Sequence, residues 1–294
     1  MSGSASASLA AALSSALGRP VARLSPVAGG DLNDAYAAQL DDGERVFVKT
    51  SASAAPGAFA AEAAGLRWLA EAAAIGVPGV LAVADAPAAG PRFLALRWLD
   101  AGPLTPAAEE ALGRGLAALH AAGAPAFGGP DDQLHIGPLT LPNAPAPDWP
   151  SFYATRRLEP LARLAAQRGA LPPHAPALLD RVLARLPELA GPAEPSARVH
   201  GDLWAGNVLA DRDERPWLID PAAHGGHREL DLAMLRLFGG PGERCFAAYE
   251  EAAPLQPGAS DRVALWQLAP LLLHAALFGA GWGERATAIL RRYA

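Results

Sequence analysis

Short apolar runs broken by turn residues dominate the start of the chain. Val21–Leu40 reads as a strand, a turn at Gly29-Gly30 and a second strand. Asp41-Asp42-Gly43 is a hairpin turn, and residues 44–50 follow as a third strand. Pro56-Gly57 opens a helix over 58–74 that stops near Gly76 and Pro78. Strand signals return at 79–85 and 92–99, separated by the turn-rich 86–91. The short turns between these strands imply antiparallel pairing.

The pattern changes after Asp100-Ala101-Gly102. Residues 105–123 form a helix with Thr105 as N-cap and Pro106 at the first helical position. Residues 124–150 are rich in Pro and Gly and read as irregular. Helical segments follow around 151–168 and 175–190, then a dense polar stretch at 198–231, then helices to the end. The expected fold class is α+β in two lobes. Residues 1–99 form a β-rich lobe with one helix after its first strands, and residues 100–294 form a mostly helical lobe, joined near 97–102.

Composition narrows the class. The chain has 294 residues, 51% hydrophobic and 18% charged, enough apolar material for a sizeable core. A net charge of −6 gives no footprint for nucleic acid and does not favour an anionic membrane surface. One cysteine, Cys245, excludes an internal disulfide and a thiolate metal cluster. The small, apolar N-terminal segment has no Lys or Arg before Arg19, so it lacks the basic region of a signal peptide and reads as a frayed start leading into a short helix. The uncharged stretch from Val263 to Gly283 contains Gln267, Pro270, His274 and three glycines, and reads as a buried helix ending at a glycine-rich turn rather than a membrane span. A cytoplasmic monomer is the expectation. Arginine has nearly displaced lysine, leaving Lys49 alone, and asparagine occurs only at 33, 143 and 207.

The densest chemistry lies in Val199-His200-Gly201-Asp202-Leu203-Trp204-Ala205-Gly206-Asn207-Val208-Leu209, followed by Trp217-Leu218-Ile219-Asp220. Residues 208–210 and 217–219 pair as a hairpin whose charged turn, 211–214, is solvated. Asn207 and Asp220 then share its open end, with Asp202 upstream on the same loop. Two carboxylates and an amide oxygen suit Mg²⁺, a hard cation that shares its shell with phosphates. Asp202 stays free to take a proton from a hydroxyl. Taken singly, Asp202 and Asn207 are equally well explained as turn or cap residues; their combination with Asp220 is what points to phosphoryl transfer.

The N-terminal lobe offers an independent sign. Lys49 ends the apolar run Val46-Phe47-Val48 on a strand. Glu62 shares a helix face with Phe59 and Leu66, whereas Glu71 lies off that face. A carboxylate among apolar neighbours requires a partner, and Lys49 is the nearest in sequence. The alternative is a partly exposed helix residue. Gly29-Gly30 allows close backbone approach to a phosphate, or is an ordinary turn. His200, His224 and His227 cluster near Asp220 and raise a zinc reading, but their spacing matches no closed ligand pattern and Gly225-Gly226 reads as a turn.

These segments resemble the fructosamine (ketosamine-3-) kinase family, within the wider group of kinase-like phosphotransferases that includes aminoglycoside and choline kinases. The resemblance rests on residues 199–209, on Leu218-Ile219-Asp220-Pro221-Ala222, on the run from Gly226-His227-Arg228-Glu229 to Met234, and on Leu237-Phe238-Gly239-Gly240. It implies ATP and Mg²⁺ as cofactors and a free or protein-bound ketosamine as substrate. By matched position it implies that Asp202 is the catalytic base and that Asn207 and Asp220 are the Mg²⁺ ligands. Lys49 and Glu62 match the phosphate-positioning pair, Gly29 and Gly30 the phosphate loop, and Trp98 and Leu99 the adenine hinge. Trp204 and His227 fall at the substrate, His200 at structural support, and Asp231 at the brace of the catalytic loop or, more plainly, a helix N-cap. The chain departs from the family at His224 and Gly225, where tyrosines are common, and lacks a cysteine beside Gly29-Gly30. The rival substrate class is another hydroxylated amine of the aminoglycoside or choline type.

Overall fold

The computed structural model describes residues 3–27, 34–51, 53–86, 90–129 and 131–294. Gly29 and Gly30 lie outside the described residues. The first described element is α1 (Gly3–Leu17), the helix expected near the start, here of 15 residues. Strands β1 (Val21–Pro26), β2 (Asp34–Leu40), β3 (Arg45–Thr50), β4 (Val80–Ala84) and β5 (Phe93–Arg97) form one antiparallel sheet in the order β1-β2-β3-β5-β4. Helix α2 (Ala58–Glu71) lies between β3 and β4 in sequence.

Period-two alternation divides this sheet into two faces. Val46, Val48, Phe93 and Ala95 pack with Leu9 and Leu13 of α1. Phe47, Leu94 and Leu96 pack with Phe59, Ala63 and Leu66 of α2. Each of the larger side chains contributes about 1.5–3 kcal/mol by burial. Lys49 follows the parity of Phe47, so its ammonium emerges on the α2 face.

The connector forms β6 (Ala101–Gly102), which pairs with β10 (Val208–Asp211); β10 pairs in turn with β11 (Pro216–Leu218). The linker is therefore stitched to the strand that follows the polar loop. Helix α3 (Pro106–Ala121) starts at Thr105, whose hydroxyl accepts from the Ala108 N–H, and crosses α8 (Glu243–Ala252). A Cβ on Gly113 would stand 2.1 Å from the Cys245 carbonyl oxygen, so only glycine permits this crossing.

Within 124–150 the chain is not irregular throughout. A hairpin, β7 (Gln133–Ile136) with β8 (Leu139–Pro142), reaches across to contact α2. Arg157 anchors its base, donating to Pro142 O and Asn143 Oδ1 at 2.8 Å each. Arg157 belongs to a wide helical turn, 153–158, between α4 (Trp149–Phe152) and α5 (Glu159–Gln167). The remaining elements are α6 (Ala175–Leu189), β9 (Ala197–Val199), β12 (His224–Gly226, paired with β9), α7 (Glu229–Leu237), α9 (Ala259–Trp266), α10 (Leu268–Phe278) and α11 (Ala280–Tyr293). Trp149, Phe152, Tyr153, Trp266 and Leu272 lie in the core of this helical lobe. Among the described residues no helix is long and apolar enough to cross a membrane.

Candidate active site

Between the sheet and the helical lobe runs a cleft of about 1300 Å³, lined by Lys49, Glu62, Trp98, Leu99, Asp202, Trp204, Asn207 and Asp220 among others. The sequence-predicted groups from both lobes therefore meet in one space.

Lys49 is the centre of charge. Its ammonium lies 3.0 Å from Glu62 Oε1 and 2.8 Å from Asp220 Oδ1. Burial opposes its charge, but the Glu62 and Asp220 carboxylates outweigh it and hold the lysine above its ordinary range. Asp220 ends the hairpin with φ 56°, a left-handed conformation that a side-chain-bearing residue rarely adopts. Such a turn costs of order 1–3 kcal/mol and is typical of functional positions.

Leu203 is fully buried and pins the loop between Asp202 and Trp204. The Asn207 amide group donates to Asp202 O at 2.8 Å, with longer contacts to Asp202 Oδ2 (3.4 Å) and Asp220 O (3.5 Å). That orientation leaves Asn207 Oδ1 without a protein partner among the described residues. Two carboxylates and one free amide oxygen fit a hard divalent cation that completes its shell with phosphate and water. The Asp202 carboxyl is pushed up to about 6, chiefly by burial and then by the neighbouring Asp220 charge.

A buried scaffold holds this loop. Asp231 sits in the first turn of α7, yet it caps the loop rather than its own helix. Its carboxylate accepts from the backbone N–H groups of His200 (2.7 Å) and Gly201 (2.9 Å). Gly201 has φ 79° and no room for a Cβ, which would meet the Ala222 carbonyl oxygen at 2.2 Å. The His200 ring donates from Nε2 to Ile219 O and accepts at Nδ1 from the Asp202 N–H, which ties the loop to the segment ahead of Asp220. Behind Asp231 lie His120, with Nε2 at 3.2 Å, and Tyr249, whose hydroxyl lies 2.8 Å from His120 Nδ1. His120 and Tyr249 escape the sequence reading. The available signal was a histidine on the apolar stripe Leu112-Leu116-Leu119 of α3.

Two placements differ from expectation or refine it. His227 does not reach the substrate side of the cleft. It is 3% exposed, between Trp149 and Trp266, with Nε2 3.7 Å from Glu194 Oε2. Sequence adjacency to the polar loop does not dictate which way a ring turns, and the aromatic core claims this one. Trp98 lines the cleft, but its indole N–H is turned to Asp100 and its face lies under Arg45, so a hinge role would fall to backbone groups. Trp204 is 40% exposed and lies over Gly206, presenting a rigid apolar face beside Asp202. Among the described residues no three His, Cys, Asp or Glu side chains cluster as a metal site, and His200 turns to Ile219 O, His224 to Ala222 O and His227 to Glu194.

Comparison with known proteins places this geometry. The fructosamine kinase family model matches residues 5–294. The chloroplastic protein-ribulosamine 3-kinase of Arabidopsis thaliana is 32% identical over 277 residues, covering 93% of this chain and 83% of that one. A Synechocystis protein named a probable ketoamine kinase is 36% identical over 268 residues, 90% of this chain and 88% of its own. A crystal structure from Thermobifida fusca assigned as a fructosamine-3-kinase superposes with TM-score 0.89 at 46% identity, covering 97% of each chain. An aminoglycoside phosphotransferase complexed with ADP and hygromycin B shares the fold, with TM-score 0.63 and 19% identity over 97% of this chain and 98% of that one. The chain has the two-lobed fold of these kinases and belongs to the fructosamine kinase family.

Proposed function

We propose that this kinase uses Mg²⁺·ATP to phosphorylate the 3-hydroxyl of ketosamines, free or protein-bound, and that it works in the cytoplasm. The phosphorylated adduct then sheds its sugar and frees the amine. In this reading residues 1–99 hold the nucleotide and residues 100–294 supply the base and the acceptor site. The observation that carries it is the convergence of Lys49, Asp202, Asn207 and Asp220 in one cleft of a chain of this family.

Lys49, kept charged and oriented by Glu62, positions the nucleotide phosphates. Asp220 and the free Oδ1 of Asn207 would hold Mg²⁺, which would supply charge neutralisation of the phosphates. Leu99 and the Trp98 backbone contact the adenine. Asp202 accepts the hydroxyl proton as the sugar oxygen bonds to the transferred phosphoryl group and ADP leaves. Its carboxyl, raised to about 6, is a stronger base than an ordinary aspartate yet ionised at neutral pH. Trp204 lies against the sugar.

Aminoglycosides are the rival acceptors, and the charge of the cleft argues against them. Among the described residues the carboxylates lining it are Glu62, Asp131, Asp202 and Asp220. Glu62 and Asp220 pair with Lys49 and Asp202 is the base, so of these only Asp131 is left to meet a polycation. The test is kcat/KM with ribulosamine and fructosamine of lysine against kanamycin and choline, with Mg²⁺·ATP. A ketosamine preferred by tenfold or more is expected; kanamycin preferred by that margin overturns the reading.

A further inference from the structure

Past Asp202 and Trp204 the cleft continues along the helical lobe to a wall of Met234, Phe238, His274, Leu277, Phe278 and Trp282. Three helices build it: Met234 comes from α7, with Phe238 just beyond its end; His274, Leu277 and Phe278 come from α10; Trp282 comes from α11. The rings form a connected set around His274. Its centroid lies 4.6 Å from Phe238, 4.8 Å from Trp282 and 5.3 Å from Phe278, and Phe238 lies 5.6 Å from Trp282.

Folding alone does not explain this surface. Phe278 is 55% exposed and Trp204 40%, and both line the same cleft. They are the two exposed large aromatics among the described residues. Apolar surface of this kind inside a cleft marks a place where something is bound. The wall carries no carboxylate. His274 donates from Nδ1 to Pro270 O, so its Nε2 is an acceptor, and Arg285 stacks over Trp282 at 4.7 Å. The groups present are thus aromatic faces and one hydrogen-bond acceptor, with a cation at the rim.

We propose that this aromatic wall is the subsite for the amine-borne substituent of the ketosamine, and that it selects adducts whose amine carries an apolar or aromatic stem. The proposal rests on the ketosamine reading. With the sugar hydroxyl at Asp202 and the sugar against Trp204, the amine and its substituent must leave the sugar somewhere in the same cleft. The wall is continuous with that space and offers aromatic faces to a stem.

The test compares fructosyl-benzylamine with fructosyl-methylamine under Mg²⁺·ATP. We expect kcat/KM at least tenfold higher for the benzyl adduct, about 1.4 kcal/mol, expressed mainly in KM. In Trp282→Ala that ratio falls to about one. Phe278→Ser, at an exposed position that does not threaten the fold, reduces it at least threefold. Equal kcat/KM for the two adducts in the unaltered protein, or an undiminished ratio in both variants, overturns the subsite alone. No turnover of either adduct overturns the ketosamine reading and the subsite with it.

Discussion

The Lys49 ammonium lies 2.8 Å from Asp220 Oδ1, a contact made by residues from opposite lobes. The lysine comes from β3 and the carboxylate from the left-handed turn after β11. The pair joins the group proposed for phosphate to the group proposed for metal. Nucleotide binding must therefore exchange one ion pair for two sets of contacts, lysine to phosphate and carboxylate to Mg²⁺.

Lys49→Arg should lower kcat/KM by about 100-fold although the charge is kept. The ammonium is a compact point charge on a flexible stem, held between Glu62 and Asp220 in a buried slot. A guanidinium is a broad planar fork that cannot occupy it. Steady-state kinetics with saturating acceptor check this. A variant with near wild-type turnover would show that the position needs only a positive charge.

Asp202→Asn and Asp220→Asn should separate. Loss of the base removes about 10²–10⁴ in kcat, with Mg²⁺·ATP affinity nearly intact, because the base acts on the acceptor hydroxyl. Asp220→Asn instead weakens Mg²⁺·ATP binding, measured by calorimetric titration of the nucleotide. Equal losses of nucleotide affinity in both variants would collapse the division of roles.

Much of this site was legible in the sequence because local rules govern it. Alternation in Val46-Phe47-Val48-Lys49 and helical spacing in Phe59-Glu62-Leu66 place the Lys49–Glu62 pair on facing surfaces. Two short apolar strands around a charged turn place Asn207 beside Asp220. The β7–β8 hairpin was not legible, since four-residue strands among prolines and glycines carry too little alternation. The Tyr249–His120–Asp231 relay joins residues more than a hundred positions apart, and no local pattern reports such a contact. His227 misled for the same reason, because its environment comes from Trp149, Glu194 and Trp266, which are distant in sequence.

His120→Phe tests that relay. It removes two contacts of a buried ring, leaving the Tyr249 hydroxyl to Arg228 and the Asp231 carboxylate to the His200 and Gly201 N–H groups, at a cost of about 1–3 kcal/mol in all. Thermal unfolding should show a lowered Tm. A loosened loop also misplaces Asp202, so kcat should fall about tenfold while nucleotide affinity holds. Wild-type Tm and kcat together would show that Asp231 needs no support from α3.

Cys245 should resist modification in the native protein. It is fully buried, and burial pushes its thiol up to about 12, so almost no thiolate exists at neutral pH. A disulfide-exchange reagent should label it only after denaturation, and mild peroxide should leave activity unchanged. Labelling of the folded protein at a rate close to that of the unfolded chain would contradict this.

Stability should fall on mild acidification, with His224 a main cause. The ring is buried under the catalytic loop, stacked on Phe152, with Nδ1 donating to Ala222 O and Nε2 without a hydrogen-bond partner. Burial, reinforced by the Arg157 charge, lowers its pKa from 6.5 to about 3. Between those values the unfolded chain binds a proton that the folded protein refuses. The stabilisation is therefore complete above the unfolded value and is lost as pH falls below it, by about 1.4 kcal/mol per pH unit per histidine. His200 and His227 are lowered in the same direction by burial and steepen the slope, while Asp202, raised to about 6, and Glu62, also raised by burial, bind protons more readily in the folded protein and reduce it. Denaturant midpoints measured from pH 7.5 to 4.5 should fall steadily below about pH 6.5. His224→Asn keeps a donor for Ala222 O but does not titrate here, so it should flatten that slope by about one proton. An unchanged slope in the variant would mean that His224 is protonated in the folded state, with Nε2 reaching an acceptor that its buried position does not otherwise provide.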